Sequence, residues 1–272
     1  MNVEVAANKR FLDTSASPAA RDWDELLVNQ VDLSLAGELS MLLGIEQWMR
    51  ARSVIDAGCG NGYYLAELSS FFPEKRYLGI DISPELIAAA GLRHPSLDFV
   101  ATDFFAAKAE PADAIMMRFL VQHLGDFGAV LRGARRLLRP GGALIIIEAD
   151  LGRSIVRPLP SAFHQMLLTY NEASAADGGF KARLLANVET LVAETGEPWR
   201  VATIRESAIA RTGPFAGSNL NTVFGKWVDL AERSAMFAFD FATVRNELRE
   251  WAAEPHSLVN LVTRMFVLQP TD

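Results

Sequence analysis

The chain has 272 residues, half of them hydrophobic, which suffices for one large domain or a core with a small cap. A formal net charge of −7 argues against a nucleic-acid partner, because such binders carry a basic patch. A single cysteine, Cys59, excludes an internal disulfide and a thiolate metal site, and suits a reducing compartment.

Residues 1 to about 20 are polar and rich in Ala, Ser and Pro, a loose start. From Asp22 to Arg50 an apolar stripe through Trp23, Leu26, Leu27, Val31, Leu35 and Leu39 has helical spacing, with Gly37 and Gly44 as expected breaks. The N-terminus shows no apolar signal core, and no uninterrupted apolar run approaches about 18 residues. The expectation is a cytoplasmic protein without a membrane partner.

Ser53 to Asp56 is predicted as the first strand, and Tyr63 to Phe72 as the helix after it, ended by Pro73. Tyr77 to Asp81 is the second strand. Ser83 is an N-cap and Pro84 a first helical residue for a helix to about Arg93. Leu97 to Val100 and Ala112 to Met117 are strands three and four. Asp126 to Leu138 is a helix stopped by Arg139-Pro140-Gly141-Gly142, with Arg132, Arg135 and Arg136 on its solvated face and at its C-terminal end. Ala143 to Glu148 is strand five, a continuous apolar run suited to a sheet covered on both faces.

Beyond it, Pro160 to Ala175 reads as a helix, broken at Asp177-Gly178-Gly179. Lys181 to Thr195 is a second helix, ended by Gly196. Arg200 to Arg205 is a strand, Ser218 to Ala235 and Phe241 to Ala253 are helices, and Leu261 to Leu268 is a last strand. The stretch 151–196 is long for a connection and predicts a lid. The expected divisions are an N-terminal helical lid (1–50), a ligand-binding core (51–150), the lid insertion (151–196) and a C-terminal completion of the sheet (197–272).

The chemistry concentrates in Val54-Ile55-Asp56-Ala57-Gly58-Cys59-Gly60-Asn61-Gly62, a strand ending at an acid and running into a glycine-rich turn. A second acid-ended strand, Tyr77-Leu78-Gly79-Ile80-Asp81, follows, which makes a nucleotide-type βαβ unit. Gly58, Gly60 and Gly62 are spaced G-x-G-x-G. The dinucleotide fingerprint needs its third glycine where Tyr63 stands, and no Lys-Ser/Thr follows as in a P-loop. Nicotinamide oxidation is therefore disfavoured. Glycines let a ligand approach the backbone closely, and an acid beside them suits a cationic one.

The stretch resembles motif I of class I S-adenosylmethionine-dependent methyltransferases, of the bacterial small-molecule type, with likeness concentrated over about residues 50 to 150. The resemblance implies an α/β, Rossmann-like, doubly wound seven-stranded sheet, with the last strand antiparallel between the fifth and sixth, and helical lids at the N-terminus and after strand five. It implies S-adenosylmethionine as cofactor and in-line methyl transfer to a small-molecule acceptor, as in specialised metabolism, by a monomer or homodimer. Asp56 would attract the methionine ammonium. Gly58 and Gly60 would present backbone, with Cys59 a small residue that fits the turn. Asp81 would accept the ribose hydroxyls, since a carboxylate has two oxygens for two donors. Ile82 would cover the adenine, Asp103 would accept from its amino group, and the Phe104 backbone would meet its ring nitrogen. Arg118 would offer its carbonyl to the ammonium while its side chain is free to pair with an acid.

Several residues keep two readings. Asp103 is either a ligand or part of a Thr-Asp-Phe turn. His123 is either a general base, as an unperturbed imidazole titrates near neutrality, or a structural group beneath the pocket. Tyr170 and Asn171 either touch the acceptor or belong to the lid's core. The same fold also houses enzymes that cyclise the aminobutyrate part of S-adenosylmethionine to a small cyclic amino acid plus methylthioadenosine. A non-catalytic S-adenosylmethionine-binding regulator is a further alternative.

Overall fold

A computed structural model describes residues 18–159, 161–176, 180–234 and 237–271. The elements in order are α1 (Pro18–Leu43), α2 (Glu46–Arg50), β1 (Ser53–Ala57), α3 (Tyr63–Phe71), β2 (Arg76–Asp81), α4 (Pro84–Arg93), β3 (Asp98–Ala101) and β4 (Ala112–Arg118). A 3₁₀ turn (Val121–His123) leads to α5 (Phe127–Leu137), β5 (Leu138–Arg157), α6 (Ala162–Ala176), α7 (Lys181–Ala186) and α8 (Val188–Thr195). β6 (Trp199–Thr212), α9 (Asn219–Ser234), α10 (Phe241–Ala252) and β7 (Leu258–Pro270) complete the chain.

The seven strands form one sheet in the order β3-β2-β1-β4-β5-β7-β6. β1 to β5 pair in parallel, and β7 runs antiparallel between β5 and β6, as expected. The central strands are apolar because both faces are covered: Ala114, Ile115, Met116 and Met117 in β4, and Ala143 to Ile147 in β5, are fully buried. One core lies between the sheet and α5 and α8, and a second between the sheet and α1, α2 and α3. A third sits under the lid helices, where Phe163, Phe215, Phe224 and Trp251 pack ring on ring, with Phe163 and Phe224 centroids 4.5 Å apart.

Helix starts follow local chemistry. Ser83 Oγ accepts the Leu86 N–H with Pro84 at the first helical position, and Asp126 caps α5 through the Ala129 N–H.

Four boundaries differ from the sequence reading. Gly37 does not break α1, and its lack of a side chain lets the helix cross β6, because a Cβ there would lie 2.1 Å from Ser207 Oγ. The segment 181–195 is two helices, because Asn187 leaves the helical conformation and caps α8 through the Thr190 N–H. β5 continues past Glu148 to Arg157, with a register shift between Asp150 and Ile155, so the first residues after 150 extend the sheet. β6 and β7 are likewise longer than the short strands expected. The break assigned to Asp177-Gly178-Gly179 lies outside the described residues.

Asp22–Leu43, with a mean hydropathy of 1.3, is long and apolar enough by length and composition to cross a membrane, although no uninterrupted apolar run in it approaches that length. Its apolarity has a second use here: the helix packs on β6, α9 and α3 and supplies Leu26, Val31 and Leu42 to two cores.

Candidate functional site

A cavity of about 220 Å³ opens at the carboxyl ends of β1, β2 and β4, where an open α/β sheet receives ligands. Its floor is the glycine turn. Gly58 and Gly60 have φ of 76° and 56°, the left-handed region. A Cβ would meet the Leu120 side chain at 2.8 Å from Gly58, and Leu27 Cδ1 at 2.7 Å from Gly60, so the turn is closed to larger residues on conformation and on space.

Asp81 ends β2 beside this turn. Gly60 N–H donates to its Oδ2 (2.8 Å) and Ser83 N–H to its Oδ1 (2.9 Å). Each oxygen keeps a lone pair for a ligand hydroxyl. Burial raises the Asp81 pKa, while the N–H groups of Ser83, Gly60 and Ile82 pull it back. Asp56 is buried at the end of β1, and its pKa is raised to about 7, chiefly by burial; Arg118 opposes the shift, and Asp81 and Glu38 add to it. A buried carboxylate and a half-buried one that acts on it make this floor hostile to a pyrophosphate and receptive to a cation with hydroxyls.

The Arg118 side chain turns away from the turn into a buried ion pair. Its Nε donates to Glu38 Oε2 (2.9 Å), its Nη2 donates to Ser34 Oγ (2.8 Å), and the guanidinium lies 4.7 Å from the Tyr64 ring centre. α1 is thereby fastened to the end of β4. Asn61 adds a second tie: its side-chain amide donates to Asp24 Oδ1 (2.8 Å) of the same helix.

The opposite wall is built from distant elements. Trp23 and Leu26 come from α1, Met166, Leu167 and Tyr170 from α6, and Trp227 from α9. Polar groups enter at one end, where Gln122, His123 and Lys181 line the cavity. His123 is half-buried against the cavity. Burial, helped by the Lys181 charge, pushes its pKa down to about 4, so the imidazole is neutral near pH 7.

Of the residues singled out from sequence, the cavity brings together Asp56, Gly58, Cys59, Gly60, Asp81, Arg118, His123 and Tyr170. Ile82, Asp103 and Phe104 stand outside this lining. Ile82 is 49% exposed, Asp103 is exposed with Oδ1 accepting the Phe105 N–H (2.8 Å), and Phe104 is buried against Gly133. The Asn171 side chain lies outside the described residues. Cys59 is buried, and its thiol pKa is pushed well up, chiefly by burial, with Asp56 and Asp81 adding to it, so it is not a thiolate. Glu38, Asn61 and Lys181 were missed. The first and last have partners far along the chain, and no local spacing announces them.

Residues 55–144 match a family model described as a methyltransferase domain. The trans-aconitate 2-methyltransferase of Azoarcus sp. is 37% identical over 97 residues, covering 35% of this chain and 38% of that protein. The acetylserotonin O-methyltransferase of Rattus norvegicus is 32% identical over 182 residues, covering 62% and 40%. The chain thus spans about two fifths of the length of these relatives. Among solved structures, the plantazolicin methyltransferase BpumL in complex with SAH superposes with a TM-score of 0.53 at 16% identity, covering 97% of this chain and 95% of that one. That likeness speaks for the fold.

Proposed function

We propose that this chain, which carries a methyltransferase domain on a class I, Rossmann-like sheet, is an S-adenosylmethionine-dependent enzyme that methylates a small molecule. The observation that carries the reading is the floor of the cavity: two left-handed glycines between two strand-end acids, Asp56 buried and Asp81 half-buried, with lone pairs of Asp81 still available.

The residues fit the cofactor. Asp81 would hold its ribose hydroxyls, Asp56 its ammonium, and the Gly58–Gly60 backbone its length. When bound, S-adenosylmethionine supplies a methyl on a sulfonium, which departs as a neutral thioether with the bonding electron pair while the acceptor's lone pair forms the new bond. The chain's own contribution is positioning and exclusion of water. α1, fastened through Glu38–Arg118 and Asp24–Asn61, closes one side, and α6 and α9 close the other. His123 sits by the acceptor end as a neutral group of low basicity, which favours an orienting role for it over proton abstraction. With this reading go a helical lid over 1–50, a cofactor core over 51–150, a lid insertion over 151–196, sheet completion over 197–272, and a cytoplasmic setting.

Calorimetry with S-adenosylmethionine, S-adenosylhomocysteine and NAD tests the cofactor. Binding of the first two and not of NAD is expected, and the reverse overturns the reading. Product analysis tests the reaction: S-adenosylhomocysteine formed only with an acceptor supports transfer, and methylthioadenosine formed without one supports cyclisation instead.

A further inference from the structure

The acceptor end of the cavity is lined by one buried cation, Lys181, paired with a buried acid behind it. Lys181 reaches in from α7, and its side chain is 8% exposed. An ammonium carries three donors. One goes to Gln122 Oε1 (3.2 Å). Glu148 Oε2 stands 3.4 Å away as an ion pair, and that oxygen makes no hydrogen bond. Gln122 is otherwise committed, because its Nε2 donates to the Phe119 carbonyl (3.0 Å). A buried ammonium with one hydrogen bond and one ion pair still has an N–H to offer a ligand in the cavity.

The surroundings say what ligand takes it. Lys181 lines the cavity, as do Gln122 and His123, and its charge is felt by the His123 ring. The carboxylates lining the cavity are Asp56 and Asp81, both at the glycine turn, and no acid lines the wall made by α6, α7 and α9 among the described residues. Glu148 is fully buried behind Lys181 and balances its charge without entering the lining. The rest of that wall is Met166, Leu167, Tyr170, Trp227 and Leu230, an apolar and aromatic surface. A ligand there meets the Lys181–Gln122–His123 cluster and a wall that is mostly apolar and aromatic.

Resting on the methyltransferase reading, we propose that Lys181 is a specificity-determining residue that takes an acidic oxygen of the methyl acceptor. The acceptor class is an aromatic-sized apolar body bearing a carboxylate or an acidic hydroxyl. An amine of the same shape would set its cation against Lys181 and leave the ammonium's remaining donor unmet.

The experiment uses the whole chain loaded with S-adenosylhomocysteine and three probes of one skeleton: 2-naphthoate, 2-naphthol and 2-naphthylmethylamine. Binding is read by ligand-observed NMR on wild type, Lys181→Met and Lys181→Arg. Expected are wild-type affinities at least about tenfold tighter for the oxygen acids than for the amine, loss of that preference in Lys181→Met, and its recovery in Lys181→Arg. The ranking of naphthoate against naphthol tells carboxylate from hydroxyl. S-adenosylhomocysteine affinity, measured separately, should be unchanged in both variants. If wild type binds S-adenosylhomocysteine but prefers the amine, or if Lys181→Met folds and keeps the acid preference, the Lys181 assignment is overturned and the cofactor reading stands. Failure of wild type to bind S-adenosylhomocysteine overturns both.

Discussion

The two halves of the cavity are built by different means. The glycine-turn half is made of backbone and two carboxylates drawn from residues 56 to 81, a short stretch in which strand, turn and strand follow one another. The lid half is made of side chains from α1, α6, α7 and α9, far apart in the chain and held by buried ion pairs and packed aromatic rings. The first geometry is fixed by chain connectivity, so it is tied to one ligand chemistry. The second depends on tertiary contacts, so it can change its ligand by exchanging a few side chains. Fixed cofactor and variable acceptor is the division of labour this arrangement permits.

The largest expected effect falls in the first half. Asp81→Ala removes the acceptor for Gly60 and Ser83 N–H and for two ligand hydroxyls. Charge-assisted hydrogen bonds are worth about 1.5–3 kcal/mol each, so S-adenosylmethionine affinity should fall about a thousandfold while circular dichroism shows the fold intact. Unchanged affinity by calorimetry would erase the distinction between the halves, since the turn would then not be the cofactor's seat.

Next is the tie between the halves. Glu38→Gln leaves the Arg118 guanidinium buried without its counter-charge, at a cost of about 3 kcal/mol in denaturant unfolding. Ser34 and the Gln30 carbonyl still accept from Arg118, which keeps the loss at the low end of the range for a broken buried pair. A loss confined to acceptor binding, with no change in stability, would show that α1 is held by something other than this pair.

Those two predictions also mark what sequence could show. Asp56, the glycines and Asp81 were legible because strand-end acids and a glycine turn are written within one βαβ unit; the seven-stranded sheet with its antiparallel last strand came from the family resemblance. Glu38 and Arg118 stand 80 residues apart. Lys181 meets Gln122 across 59 residues. In the sequence Lys181 is a helix-opening residue like any other, and only its contacts with Glu148 of β5 and with Gln122 make it a cavity group. Asp103 keeps both of its readings: its Oδ1 accepts the Phe105 N–H as in a turn, and the carboxylate stays exposed past the end of β3.

A smaller effect comes from protonation at the floor. Asp56 has its folded pKa raised to about 7. Its contribution to stability is therefore fully present below its unfolded value of 3.8 and is lost as pH rises through about 7. A bound ammonium favours the carboxylate, so the rise in Tm caused by S-adenosylmethionine should grow between roughly pH 6 and pH 8, equivalent to about tenfold in affinity. Asp56→Asn should flatten that pH dependence in thermal unfolding, and a growth that survives the substitution would place the ammonium elsewhere.

The smallest effect belongs to the lid half. His123 has its folded pKa depressed from 6.5 to about 4, by burial first and the Lys181 charge second. Its contribution to stability is present above pH 6.5 and is lost as pH falls through about 4, the opposite sign to Asp56. The His123→Gln variant should lose less stability than wild type over that acid window, in urea unfolding followed from roughly pH 7 to pH 4. Wild-type and His123→Gln curves that run parallel would mean that the imidazole titrates as it does in the unfolded chain. It would then be charged at mildly acid pH and able to exchange a proton near neutrality, and the lid half would carry acid–base chemistry as well as recognition.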